Sequence, residues 1–168
     1  TTLLDALFTA TSAVCVTGLT VVDTATHWTG FGKAIILFLI QVGGLGIVTV
    51  VSIGIMLVAD RIGLSHTRVL AADLHTDGYG SVSKLVRNIV LTTLAFEALF
   101  AVVLSARYFI SYDYGFSTAA IHGVFHSISA WNNAGFALYT DSFVGFANDW
   151  FLSIALCIAV ILGGIGFP

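Results

Sequence analysis

Charge is scarce in this chain. Of 168 residues only 9% are Asp, Glu, Lys or Arg, while 58% are hydrophobic; an average soluble domain carries about 25% charge. So few ionic groups cannot cover a water-soluble surface, and with a mean hydropathy of +1.01 the expected solvent is the bilayer. Proline occurs once, at Pro168, so no internal proline kinks a helix. Cysteine occurs twice, at Cys15 and Cys157, both in apolar stretches and with no Cys-x-x-Cys or Cys/His spacing. That excludes a disulfide framework or a zinc site and predicts two buried free thiols. Positive charge is not in excess: the net charge is −3, which argues against the basic face that nucleic acid requires. The chain opens on Thr1 with no leader-like segment and closes inside an apolar run. It reads as a piece of a longer protein.

What is present is a pattern that occurs twice. Residues 8–18 read F-T-A-T-S-A-V-C-V-T-G and residues 125–135 read F-H-S-I-S-A-W-N-N-A-G, with Phe, Ser, Ala and Gly at matching offsets. Each copy is followed by an apolar run carrying a second glycine cluster, Gly43-Gly44-Leu45-Gly46 and Gly163-Gly164-Ile165-Gly166. A repeat in so apolar a chain points to one membrane unit used more than once around an axis.

Residues 34–59 are 26 positions without a charge, Gln41 being the most polar. As a helix they reach about 39 Å, enough to cross a hydrocarbon core of about 30 Å. Residues 88–106, whose only charge is Glu97, form a second span, and residues 150–168 a third. Residues 60–87 hold Arg61, Arg68, Lys84 and Arg87, four of the six basic residues, so this segment is expected to be a cytoplasmic loop. Two apolar stretches, 2–13 and 116–130, are too short to span. The second must enter and leave from the outer face, because the spans on either side of it run in opposite directions. Each therefore reads as a re-entrant pore helix followed by a non-helical loop, at 14–20 and 131–137. Such backbone is tolerated at membrane depth only where protein buries it or a wet cavity borders it.

A loop of this kind suits ion passage. Backbone carbonyls can replace an ion's water, glycine allows the backbone geometry this needs, and the C-terminal end of a short helix favours a cation. The candidate residues are Val16, Thr17, Gly18 and Leu19 in the first loop, and Asn132, Asn133, Ala134, Gly135 and Phe136 in the second. Thr17, Asn132 and Asn133 are expected to hydrogen-bond neighbouring backbone, with Trp131 and Phe136 wedged against helices. Gly43, Gly44 and Gly46 read as helix-packing glycines; Gly44-x-Gly46 lies inside a span and lacks the third glycine of a nucleotide fingerprint. Glu97, an acid halfway along a span, reads as a structural carboxyl bonded to a neighbouring helix rather than as a functional acid. His122 and His126 lie four apart, a spacing that suits a metal, but they have no Cys or carboxylate beside them and read as helix- or water-facing. Asp23, Asp113, Asp141 and Asp149 fall near the outer mouth, where they either concentrate cations or are simply solvated.

At these residues the chain resembles a known family. T-S-A-V-C-V-T-G-L-T (11–20), I-Q-V-G-G-L-G-I-V-T (40–49), F-H-S-I-S-A-W-N-N-A-G-F (125–136) and G-G-I-G-F-P (163–168) look like the Trk/Ktr/HKT superfamily of potassium transporters, bacterial KtrB/TrkH membrane subunits in particular. The resemblance implies an all-α membrane protein of span–pore helix–filter loop–span units, distantly like potassium channels, with two of an expected four repeats here. Residues 1–59 would be the first repeat without its opening helix, and residues 88–168 the second. Potassium would be the transported substrate, bound by the carbonyls of Val16, Thr17, Gly18, Asn133, Ala134 and Gly135, with no cofactor. The resemblance further implies a multi-pass plasma-membrane subunit that pairs as a homodimer in membrane lipid and binds a cytosolic nucleotide-sensing regulatory subunit. Glycine at position 18, where sodium-preferring plant relatives carry Ser, favours potassium. Two filter strands do not surround an ion, so conduction belongs to the parent protein.

Other readings remain. A sodium-preferring or sodium-coupled member of the same family would look alike. A re-entrant water or small-solute channel would carry Asn-Pro-Ala at two helix N-termini, whereas Asn132-Asn133-Ala134 follows its helix and lacks Pro. An intramembrane enzyme would need paired Asp, or Ser with His, inside the spans, and the only acid well inside one is Glu97.

Overall fold

The computed structural model describes residues 2–46 and 79–165, and of residues 79–83 and 85 the backbone alone. The second half of the expected first span, most of the expected loop and the last three residues lie outside the described residues. The described secondary structure is helical, without strands: α1 Leu3–Val14, α2 Gly30–Gly44, α3 Tyr79–Ser111, α4 Phe116–Trp131 and α5 Trp150–Ile165, with a 3-10 turn at Val144–Phe146. The chain divides into two compact units. One comprises Thr1–Gly44 with Thr93–Pro168, the other Leu45–Thr92; in the latter the described structure is mainly the first part of α3.

Local chemistry starts three of the helices. Thr2 caps α1: its Oγ1 accepts from Asp5 N–H at 3.2 Å, and Asp5 Oδ2 accepts from Thr2 N–H at 2.9 Å. Such a reciprocal cap satisfies two otherwise orphaned donors and is worth ~1 kcal/mol. Thr29 Oγ1 accepts from Gly32 N–H at 3.2 Å and starts α2, four residues before the charge-free run begins. Asp149 Oδ1 accepts from Leu152 N–H at 3.2 Å and starts α5. Helix α3 begins at Tyr79, so residues 79–87, expected to be loop, are helical. Their polarity limits how far hydrocarbon can reach and does not oppose helical backbone: Lys, Leu and Arg are good helix formers.

Within α3, Val86–Ser111 is 26 residues and apolar enough to cross a membrane by length and composition. Helices α1, α2 and α5 are shorter apolar helices. In the larger unit α1 packs on α2, α4 on α5, and α2 on α4. One core joins Ala13, Ile36 and Ile40 to Phe125, Ala134, Phe136 and Leu138. A second gathers Leu104, Tyr108, Ala119, Phe146, Leu152 and Ala155. Small residues bring α4 against α3: a Cβ on Gly123 would overlap Ser105 and lie 2.8 Å from the Ala101 carbonyl. One turn on, Ser127 Oγ donates to the Glu97 carbonyl at 2.6 Å. Such close approach through small residues is how helices associate where lipid removes the hydrophobic drive.

Large apolar side chains face outward, among them Val102 at 69% and Ile110 at 75% exposure on α3. Patches of this kind are rare on soluble monomers and ordinary against lipid or further protein. The same fact corrects the expectation for the thiols. Cys15 and Cys157 are free, but both are exposed, because the apolar stretches that carry them present an apolar outside as well as a core.

Candidate functional site

The two repeated loops adopt one backbone path. Each short helix ends in a residue near the bridge region: Cys15 at φ −85°, ψ 2° after α1, and Asn132 at φ −81°, ψ 3° after α4. The next residue turns left-handed in both, Val16 at φ 50° and Asn133 at 57°, and so does the glycine two positions later, Gly18 at 71° and Gly135 at 73°. The hydrogen bonds repeat as well. Val16 N–H donates to the Ala13 carbonyl and Asn133 N–H to that of Ala130; Thr17 N–H donates to the Ser12 carbonyl and Ala134 N–H to that of Ser129, all at 2.8–3.1 Å. The amides thus turn back onto the helix that precedes them. Among the described residues no donor meets the carbonyls of Val16, Thr17, Gly18, Asn133, Ala134 or Gly135.

The two loops lie side by side. A Cβ on Gly18 would stand 2.6 Å from the Ala134 carbonyl oxygen and 3.0 Å from Gly135 Cα. Glycine is required there twice over, by the positive φ and by the neighbouring backbone. Val16 is the exception, since a β-branched residue at positive φ is an outlier; Asn133, its counterpart, tolerates that region.

The loops are braced differently. In the first, Ser12 Oγ and Thr17 Oγ1 share a 2.9 Å bond. The second is pinned more densely. Ser129 Oγ donates to the Phe136 carbonyl at 2.6 Å, so that carbonyl is already occupied, while the Phe136 ring is buried in the core. Leu138 N–H donates to His126 Nε2 at 3.0 Å. His126 Nε2 is therefore the bare nitrogen, and Nδ1–H donates to Tyr108 Oη at 3.2 Å. With its amide oriented to suit its surroundings, Asn133 donates to the Val160 carbonyl at 3.2 Å and accepts from Gly164 N–H at 3.1 Å. Trp131 stacks on Phe96 with ring centroids 4.9 Å apart. Leu19 is 62% exposed.

The glycine clusters seat the following helices on these loops. A Cβ on Gly43 of α2 would overlap the Val14 carbonyl, and one on Gly163 of α5 would overlap the Trp131 carbonyl. Val14 and Trp131 occupy the same place in the two copies, four residues before Gly18 and Gly135. Close helix packing is thus the role of these glycines, and what they pack on is the root of each loop.

Glu97 is buried, 4% exposed. Its Oε1 accepts from Gln41 Nε2 of α2 at 3.0 Å and from Asn132 Nδ2 at 2.9 Å. It is a carboxyl bonded to neighbouring helices, as the sequence suggested, but one of its partners is the second loop itself. That link joins residues 41, 97 and 132, and no local pattern announces it. Of the histidines, His122 Nδ1 lies 3.0 Å from Tyr139 Oη, and both rings stand in an aromatic cluster with Tyr108 and Tyr139. Among the described residues no group of three or more His, Cys, Asp or Glu could hold a metal.

The acids near the expected outer mouth divide. Asp149 pairs bidentately with Arg107, at 2.8 and 3.0 Å, and accepts from Tyr112 Oη at 2.8 Å. The Arg107 guanidinium, with the Leu152 amide and the Tyr112 hydroxyl, holds its carboxyl down at about 2. Asp23 accepts from Thr26 Oγ1, Ala25 N–H and, across to the far side of the second loop, Thr140 Oγ1. These bonds, Thr26 first, lower its pKa. Asp113 and Asp141 are exposed.

An apolar, largely helical chain with two matched carbonyl-bearing loops at the ends of short helices has the makings of a membrane protein that handles cations. Comparison with known proteins agrees. A model of the TrkH family, described as a cation transport protein, matches residues 1–168, and the chain belongs to that family. It is 40% identical over 164 residues to the Ktr system potassium uptake protein B of Bacillus subtilis, covering 98% of this chain and 36% of that protein. It is 42% identical over 163 residues to the protein of the same name from Vibrio alginolyticus, covering 97% and 35%. To the potassium/sodium uptake protein NtpJ of Enterococcus hirae it is 36% identical over 164 residues, covering 98% and 36%. The chain thus spans about a third of the length of these relatives.

Proposed function

We propose that this chain is the part of a potassium uptake subunit that supplies two adjacent selectivity-filter strands, residues 14–20 and 131–137. One observation carries the reading: two runs of three carbonyls, Val16 to Gly18 and Asn133 to Gly135, have no donor among the described residues, in two loops of the same handedness set side by side. Ala134 is buried and Val16 and Gly18 are half-buried, settings in which a carbonyl ordinarily finds a donor; Thr17, Asn133 and Gly135 are exposed. A dehydrated potassium ion needs such oxygens in place of water. The names of the relatives, potassium uptake proteins, supply the ion.

In this reading each repeat is span, pore helix, filter loop and span, in a multi-pass subunit of the plasma membrane. The core of the first repeat supports the arrangement. Ala13, Ile36 and Ile40 are covered by Phe125, Ala134, Phe136 and Leu138 of the second. Their counterparts Ala130, Leu156 and Val160 instead border an open cavity of about 330 Å³, where the next repeat of the parent would sit. The parent works as one component of a Ktr-type system, as a homodimer with a cytosolic nucleotide-sensing partner. A sodium-transporting member is the second reading, favoured by the potassium/sodium name of the Enterococcus relative; Gly18 speaks for potassium.

The test is complementation. The full-length parent is expected to restore growth on micromolar potassium in a bacterium lacking its own uptake systems, and its Gly135→Asp form is not. Growth with Gly135→Asp in the membrane would refute the second loop as a filter strand. Growth that depends on sodium rather than potassium would favour the second reading.

A further inference from the structure

The carboxyl of Glu97 stands where three helices meet at the root of the second loop. Asn132 is the residue at which α4 stops. Its Nδ2 donates both to the Ile128 carbonyl, at 2.9 Å, and to Glu97 Oε1, at 2.9 Å. The next residue turns left-handed and begins the run of donor-free carbonyls. The same Glu97 oxygen accepts from Gln41 of α2, while the Glu97 carbonyl accepts from Ser127 of α4. Helix α2 is itself pressed on both loops: a Cβ on Gly43 would overlap the Val14 carbonyl, and one on Gly44 would overlap Asn132 Oδ1. Among the described residues the first loop has no such link: the counterpart of Asn132 is Cys15, an exposed thiol.

We propose that Glu97 is a positioning residue for ion selection: through Asn132 it fixes the angle at which the second loop leaves its helix, and through Gln41 it ties that angle to α2, the helix packed on the root of the first loop. The proposal rests on the two loops being filter strands. Its physical basis is that a buried acceptor shared by two amides holds both donors in one geometry, whereas its removal leaves those amides unpaired. The demand is for an acceptor, not for a charge facing an ion.

The experiment measures potassium and sodium uptake by the full-length subunit with its partners, normalised to protein in the membrane. Glu97→Ala is expected to lower the potassium-over-sodium ratio about tenfold, the scale of a lost hydrogen bond to a buried carboxyl. Glu97→Gln, whose Oε1 still accepts from both amides, is expected to keep the ratio within about twofold. A general structural role would not separate these two by ion ratio. Combining Glu97→Ala with Asn132→Ala is expected to do no more than the worse single change, because the two act on one contact. An unchanged ratio in Glu97→Ala, a Gln form as defective as the Ala form, or additive losses would each overturn the proposal. Should Glu97→Ala fail to reach the membrane, Asn132→Ala decides: its ratio is expected to fall in the same way, and an unchanged ratio overturns the proposal. Gly135→Asp separates the underlying reading. Normal uptake there removes the filter itself, whereas lost uptake there with an unchanged ratio in Glu97→Ala removes only the positioning role.

Discussion

At the scale of single residues, the loops are governed by what a Cβ does at positive φ. Gly18 at 71° has the Ala134 carbonyl 2.6 Å from where a side chain would start. Gly18→Ser therefore incurs both dihedral strain of order 1–3 kcal/mol and a backbone clash. Relative uptake of potassium over sodium by the full-length protein is expected to fall, roughly tenfold for 1.4 kcal/mol; equal ratios for the two forms would count against Gly18 as a filter residue. Val16 offers the opposite experiment. It is β-branched at φ 50°, while its counterpart Asn133 sits at 57°. Val16→Asn is expected to relieve about 1 kcal/mol and to raise the melting temperature of the purified full-length protein by a few degrees. A lowered melting temperature would show that the Val16 side chain contributes more through packing than its backbone costs.

At the scale of elements, a short helix, its loop and the helix that follows form one device. The loop leaves the helix C-terminus, and a glycine of the following helix lies on the last carbonyl of the first: Gly43 on Val14, Gly163 on Trp131. Any side chain at either glycine must push the helix off the loop, an overpacking of at least 1–3 kcal/mol. Gly43→Ala and Gly163→Ala are expected to reduce potassium uptake strongly, each with its own loop disturbed, and immunoblotting of membranes separates lost protein from lost transport. Normal uptake by both would show that α2 and α5 can shift without moving the loops. The two elements differ in bracing, since the second loop is held by Ser129, His126, Asn133 and Asn132 and the first chiefly by Ser12 and Thr17.

At the scale of the molecule, α3 and α5 are joined by the Arg107–Asp149 pair. Asp149 has its pKa lowered to about 2 from an ordinary 3.8. A carboxyl depressed on folding adds stability above its unfolded value, and that addition is lost as pH falls towards the folded one. Asp149→Asn is thus expected to melt below the wild type at pH 7 and pH 5. The gap should close as the pH falls from about 4 towards 2. A gap that stays constant with pH would assign the effect to the helix cap rather than to the ion pair.

Composition alone determined that this chain belongs to a membrane, because 9% charge cannot hydrate a surface. Repetition alone picked out both loops, because Ser, Ala and Gly recur at the same offsets in two short stretches, and local hydrogen bonds such as Thr17 N–H to the Ser12 carbonyl and Ala134 N–H to that of Ser129 depend on just such spacing. Trp131 and Phe136 were legible as wedges for the same reason: large apolar rings beside a tight turn have to be buried. The sequence misjudged the thiols, since an apolar neighbourhood does not say which side is protein, and it ended the loop before α3 too late, since polarity is not a helix stop. Only tertiary structure set Gln41 and Asn132 on Glu97, laid Gly18 against Ala134 and placed Gly43 on Val14. Gln41, Glu97 and Asn132 are 56 and 35 residues apart, and a contact at that range is fixed by how helices pack, which no window of neighbouring residues contains.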